Sequence, residues 1–140
     1  MARFSPRTLG LIGAILPLTG LTTAALAQFS GGYRYQTGQE LYTHICQGCH
    51  MPDGKGASGA GKYPALAGDP KLRASLYPVL VILKGQKAMP SFSELTDVQI
   101  AAVTNYIRTN LGNNFTGPVT PEQVKALRSQ AVQQKALSPG

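Results

Sequence analysis

Cys46-Gln47-Gly48-Cys49-His50 decides how the rest of the chain is read. Two thiols separated by two residues can each add to one vinyl group of a haem, and the histidine that follows at once offers its imidazole to the iron. The pentapeptide predicts one covalently attached haem c with its iron, anchored through Cys46 and Cys49, with His50 as an axial ligand. Other uses of the spacing fit less well. A zinc site built on the two cysteines needs two more ligands, and the only other histidine, His44, sits just ahead of Cys46, so the site cannot be closed. A thioredoxin-like pair belongs at a strand-to-helix junction, whereas here the pair ends a helical stretch with no strand before it. A plain disulfide between Cys46 and Cys49 is the remaining alternative.

Upstream, Thr37 and Glu40 fit a capping box, and Leu41 and Ile45 follow at helical spacing, so a short helix should deliver the chain into Cys46. Gln28 to Gln36, with Gly31-Gly32 and Tyr33-Arg34-Tyr35, reads as a loose arm. Residues 1–27 have the features of an export signal: Arg3 and Arg7, an uncharged apolar run from Leu9 to Leu21, and Ala25-Leu26-Ala27 as a small-x-small cleavage pattern. A retained membrane anchor is the alternative, but the run is short for a bilayer span and contains Pro17. Cleavage after Ala27 would remove two arginines from a chain whose formal charge is +7. Export agrees with the chemistry, because paired thiols outside the cytoplasm would otherwise oxidise.

Downstream, Met51 to Gly61 is rich in glycine and carries Pro52 and Asp53, which predicts a loop. Asp69-Pro70 resembles a helix N-cap followed by proline at the first helical position, with a helix over Lys71 to Ser75. Pro78 should open a second short helix through Val79-Leu80-Val81-Ile82-Leu83 and Gly85 should end it; a buried strand competes for this apolar run. The longest helical pattern begins at Thr96, with Gln99 completing a capping box, and repeats at Ile100, Val103, Ile107 and Leu111 up to Gly112. Thr120-Pro121-Glu122-Gln123 then caps a last helix to about Gln133, whose thin apolar face of Val124, Leu127 and Ala131 is expected to pack on the domain. Ala136 to Gly140 should fray.

An iron held by one histidine has a second axial position. Of the three methionines, Met1 leaves with the signal and Met51 adjoins His50, too close to pass round the ring. Met89 lies far enough along the chain to meet the opposite face, on a turn between Lys84-Gly85 and Pro90, and is the candidate sixth ligand. Core filling is the ordinary use of a lone methionine. His44 has the wrong reach for that face and is expected to be partly exposed.

With CxxCH, the capped helix before it, Pro64 in the next loop, Met89-Pro90 and a later helix containing Tyr106, the chain resembles a class I c-type cytochrome over roughly Thr37 to Leu111. The resemblance implies an all-α fold of short helices wrapped round the haem, Cys46 and Cys49 as thioethers, and His50 and Met89 as axial ligands. It further implies that the Pro64 carbonyl accepts from the other ring nitrogen of His50. Gly38 and Tyr42 match the family's glycine and aromatic on the first helix, where that helix crosses the one bearing Tyr106. The runs Tyr63-Pro64-Ala65-Leu66-Ala67-Gly68, Lys87-Ala88-Met89-Pro90-Ser91-Phe92 and Tyr106-Ile107-Arg108 are similar to small periplasmic cytochromes that serve quinone- or flavin-dependent sugar and alcohol dehydrogenases.

The expected organisation is a signal peptide at 1–27, an arm at 28–36, a cytochrome domain at 37–112 and a helical extension at 113–140. The expected role is one-electron carriage in the periplasm rather than enzymatic turnover. A dehydrogenase would be the donor, and a cytochrome oxidase or another cytochrome the acceptor. Two alternatives stand beside it: a haem subunit tethered in a dehydrogenase complex, and a sensor or peroxidase-like protein with an open iron site. Lys55, Lys62, Lys84 and Lys87 form either a basic rim that steers acidic partners or scattered surface charge. Nucleic acid is not expected as a partner of an exported haem protein.

Overall fold

The computed structural model describes residues 32–59 and 61–137. The proposed signal at 1–27 and the last three residues lie outside that range.

The first helical stretch is built in three consecutive pieces. α1 (Gly38–Leu41) opens on the expected capping box, in which the Thr37 hydroxyl accepts from the Glu40 backbone N–H while the Glu40 carboxylate accepts from the Thr37 N–H. A π turn over Tyr42–Cys46 follows, with the Gln47 N–H bonding back to the Tyr42 carbonyl, and α2 (Gln47–His50) ends on Met51 at φ 66°. The extra residue in the π turn rotates the cysteine pair relative to α1, a distortion that uniform helical spacing does not reveal.

The segment expected to be a plain loop instead folds a small antiparallel hairpin. β1 (Ala57–Ser58) pairs with β2 (Lys62–Tyr63), with Ala57 opposite Tyr63 and Ser58 opposite Lys62. Its strands are too short for a periodicity of two to show in sequence. The helix expected over Lys71 to Ser75 is a single 3-10 turn, Pro70–Arg73, started by the Asp69 carboxylate accepting from the Lys71 N–H. The apolar run is helical: α3 spans Leu76–Lys84, with Pro78 in its first turn, where a missing N–H costs nothing. Gly85 stops it at φ 70°.

α4 (Asp97–Thr109) has the expected Thr96/Gln99 capping box and buries Ile100, Val103 and Ile107. It ends before Leu111, which takes φ 57° just beyond the helix, so the stop falls earlier than Gly112 suggested. α5 runs Pro121–Leu137, longer than expected, and its Thr120 hydroxyl accepts from the Gln123 N–H.

These elements share one core. Leu41 and Tyr42 from the first stretch, Leu72, Val79, Ile82 and Leu83, the α4 stripe, and Val119 and Val124 pack as one cluster. α1 crosses α4 closely because Gly38 has no side chain: a Cβ there would collide with the Ala102 carbonyl and stand 2.7 Å from the Tyr106 Cβ. Tyr42 and Tyr106 rings meet at this crossing, 5.5 Å apart and tilted by 39°. At the other edge Gln99, itself buried, donates to the Tyr33 and Tyr35 carbonyls at 2.6 and 2.7 Å, so the described end of the arm is laid along α4.

Candidate functional site

The helix end bearing CxxCH is fixed from below by Tyr42. Its phenol donates to the Met51 carbonyl at 2.6 Å, across the turn that follows His50. Burial raises this phenol to about 12, with the nearby Cys46 and Tyr106 adding to the shift, so it stays protonated as a donor.

His50 is buried, 9% exposed, and its Nδ1 lies 3.0 Å from the Pro64 carbonyl oxygen. A carbonyl can only accept, so Nδ1 carries the proton and Nε2 is left with a lone pair for a metal. Backbone contacts bring Pro64 to this point. Gly56 donates to the His50 carbonyl at 3.0 Å, and Leu66 and Ala67 both donate to the Gly54 carbonyl. Gly56 sits at φ 69° where a Cβ would collide with the Tyr63 and Pro64 carbonyls, which makes glycine necessary there.

Beyond Pro64 the loop is held by Asn113. Its amide donates to the Leu66 and Ile107 carbonyls at 2.9 and 2.8 Å and accepts from the Gly68 N–H at 2.8 Å. Sequence reading passed over Asn113, and gave no structural role of their own to Gly56 or to Arg108. Arg108 is 1% exposed and donates to the Leu72, Thr116 and Gly117 carbonyls.

Cys46 is half-buried against the core and Cys49 is exposed. Burial pushes the Cys46 thiol up to about 12, with the neighbouring Cys49 adding to the shift. Met89 sits on a tight turn closed by two bonds, Gln86 N–H to the Met89 carbonyl and Met89 N–H to the Gln86 carbonyl, each 3.0 Å. Lys87 at the turn has φ 54°. Gly85 allows the return of the chain, since a Cβ there would stand 2.7 Å from the Met89 carbonyl oxygen.

His44 is exposed and stacks on Tyr35, ring centres 4.1 Å apart at 9°. Of the four lysines, Lys55 pairs with Asp53 at 3.1 Å and Lys84 donates to Gln134 at 3.2 Å, while Lys62 and Lys87 are exposed.

Two thiols, an imidazole with one nitrogen already committed, and a thioether on a constrained turn form the donor set expected for a covalent haem. Cys46, Leu66, Met89, Phe92 and Tyr106 all pack against the same apolar cluster, so the residues present fit the group. The family described as "Cytochrome C oxidase, cbb3-type, subunit III" matches residues 34–107. The chain belongs to this family of class I c-type cytochromes.

Family membership makes haem c, covalently bound, the cofactor of this cytochrome. It is similar to a cytochrome c-552 of Thermus thermophilus, 38% identical over 138 residues, which covers 84% of each chain. It is also similar to the cytochrome c subunit of alcohol dehydrogenase (quinone) from Gluconobacter oxydans, 32% identical over 124 residues, 79% of this chain and 25% of that protein. The gluconate 2-dehydrogenase cytochrome c subunit of Pantoea cypripedii is 36% identical over 106 residues, 66% of this chain and 24% of that protein. The cytochrome thus spans about a quarter of the length of these two dehydrogenase subunits.

Proposed function

We propose that this cytochrome is an exported one-electron carrier, with its haem joined to Cys46 and Cys49 and its iron held between His50 Nε2 and the Met89 sulfur. The haem iron, when bound, supplies reversible exchange of one electron between its ferric and ferrous states. The chain's own residues decide that nothing else happens there. Pro64 fixes the His50 ring through Nδ1, which holds Nε2 in one orientation. Met89, presented by its paired turn, would be the second protein ligand to the iron, which would leave no place for oxygen, peroxide or an organic substrate. A thioether ligand favours the reduced state and raises the potential. The apolar cluster that touches Cys46 and Met89 acts in the same direction, since a low-polarity surround disfavours the extra positive charge of the oxidised centre.

The observation that carries this reading is the placement of Met89 on a hydrogen-bonded turn against the core, rather than on a helix face where it would be filler. Absorption spectra of the oxidised, haem-loaded protein beside Met89→Ala test it. The expected outcome is a low-spin ferric spectrum whose weak long-wavelength sulfur-to-iron band is lost in the variant, with a lower reduction potential and, after reduction of the variant, new binding of carbon monoxide. A high-spin spectrum that the substitution leaves unchanged would instead mean an open iron site and a sensor or peroxidase-like role.

The dehydrogenase names among the relatives support a donor of that class, with an oxidase or a further cytochrome receiving the electron. They also support the second reading, a haem subunit bound to a dehydrogenase, for which co-purification with such an enzyme is the test. A periplasmic location follows from the signal proposed at 1–27. No helix of the described residues is long and apolar enough to cross a membrane.

A further inference from the structure

Residues Gly85 to Phe92, which present Met89, are bounded by Lys84 on α3 and by Ser93. Most of the segment is exposed; only Met89 and Phe92 pack against the core, with Gly85 half-buried. Hydrogen bonds tie the segment to α3. Within it, the Ser91 hydroxyl donates to the Leu83 carbonyl at 2.7 Å and the Phe92 N–H to the Ile82 carbonyl at 2.8 Å.

Helix α5 holds the residues that flank the segment, Lys84 on one side and Ser93 on the other. Arg128 Nε donates to Asp97 Oδ1 at 2.8 Å, Nη1 to the Ser93 carbonyl at 2.6 Å and Nη2 to the Leu95 carbonyl at 2.7 Å. All three guanidinium nitrogens are used, and the ion pair is largely withdrawn from water, its side chains 29% and 28% exposed. At the far end Gln134 accepts from Lys84. An open groove of about 800 Å³ runs between the far half of α5 and the Leu83 and Ser91 side, bridged by Arg128 and by Lys84 with Gln134. The Ser93 N–H donates to the Ser91 hydroxyl, and Arg128 holds the Ser93 carbonyl, so an opening that carries Ser93 away with the segment breaks the Arg128 bond.

We infer that Arg128 is a positioning residue for Met89: α5 clamps the methionine-bearing segment and so holds the thioether on the iron. This rests on the ligation proposed above. An external base can take the sixth position only when the segment opens, so weakening the clamp makes displacement easier without altering the ligand itself.

The test is an imidazole titration of the oxidised, haem-loaded full chain, followed by loss of the long-wavelength sulfur-to-iron band. Arg128→Ala should show the same band as the unaltered protein without imidazole, and lose it at about tenfold lower imidazole, as expected for removing charge-assisted bonds. Arg128→Lys keeps the ion pair with Asp97 but not the fork to both carbonyls, and should fall between. Gln134→Ala should shift the midpoint less and in the same direction; these two variants carry the test if Arg128→Ala does not fold. An unchanged imidazole midpoint in all the variants that fold, even with a lowered melting temperature, would make Arg128 merely structural and overturn the proposal. A band absent from the unaltered protein, with Met89→Ala spectrally silent, would instead remove the Met89 ligation on which the proposal stands.

Discussion

Tyr42 carries more of the site than its place in the helix suggests. Its ring lies against Tyr106 and its hydroxyl holds the Met51 carbonyl, which the Gly54 N–H also bonds at 3.1 Å. Tyr42→Phe should therefore cost about 1 kcal/mol at neutral pH, since one acceptor bond remains. The phenol raised to about 12 gives the substitution a pH signature. Stability from the neutral hydroxyl is fully present below about pH 10, the ordinary tyrosine value, and is lost as pH rises toward 12. Denaturant unfolding of the unaltered protein should weaken across that window, and Tyr42→Phe should flatten the fall. Equal slopes for both proteins would assign the alkaline loss to another group. Cys46, Cys49 and His50 could be proposed from sequence because covalent haem chemistry demands an uncommon local pattern. Asn113 could not, because its partners at Leu66 and Gly68 lie far along the chain and an asparagine near a helix end has many ordinary uses.

Helix starts were the most readable feature at the scale of elements. Thr37, Thr96 and Thr120 each bond the backbone three residues on, a relation wholly contained in a short window. The π turn and the hairpin β1/β2 were not readable, because both depend on backbone pairing that side chains of this composition do not advertise. The crossing of α1 on α4 gives a sharp test of which local force wins. Alanine at Gly38 gains roughly 1 kcal/mol of helix propensity. Its Cβ meets the Ala102 backbone, which cannot move aside without distorting α4, and such overpacking costs about 3 kcal/mol. Gly38→Ala should lower the melting temperature followed by circular dichroism. Gly48→Ala, with nothing within 4 Å of its Cβ position, should leave it unchanged or raise it slightly.

Across the whole molecule, Arg108 joins parts that sequence reading kept separate. From α4 it holds Leu72 in the 3-10 turn and Thr116 and Gly117 in the connection to α5. The C-terminal extension is thus fastened to the domain before α5 begins, through a buried cation whose three bonds go to main-chain oxygens. Arg108→Met should cost roughly 3 kcal/mol by leaving those carbonyls unpaired, and lower the melting temperature by more than about 10 °C. An equally stable variant would show that hydration replaces all three bonds. An arginine near a helix C-terminus has an ordinary reading as a dipole partner, which is why this role could not be read in advance.

The Gln99 contact to the arm has a mechanical consequence. A pull applied at Gly32 meets the two bonds to the Tyr33 and Tyr35 carbonyls before it reaches the Thr37 cap of α1. Those bonds belong to a single side chain and open one after the other. Their rupture releases the few residues between Tyr33 and Thr37, roughly 15 Å of extended backbone. The described part of the arm is thus a short line stitched to α4 by Gln99, and tension that parts the stitch is next borne by Tyr35, stacked on His44 in the helical stretch that carries Cys46 and His50.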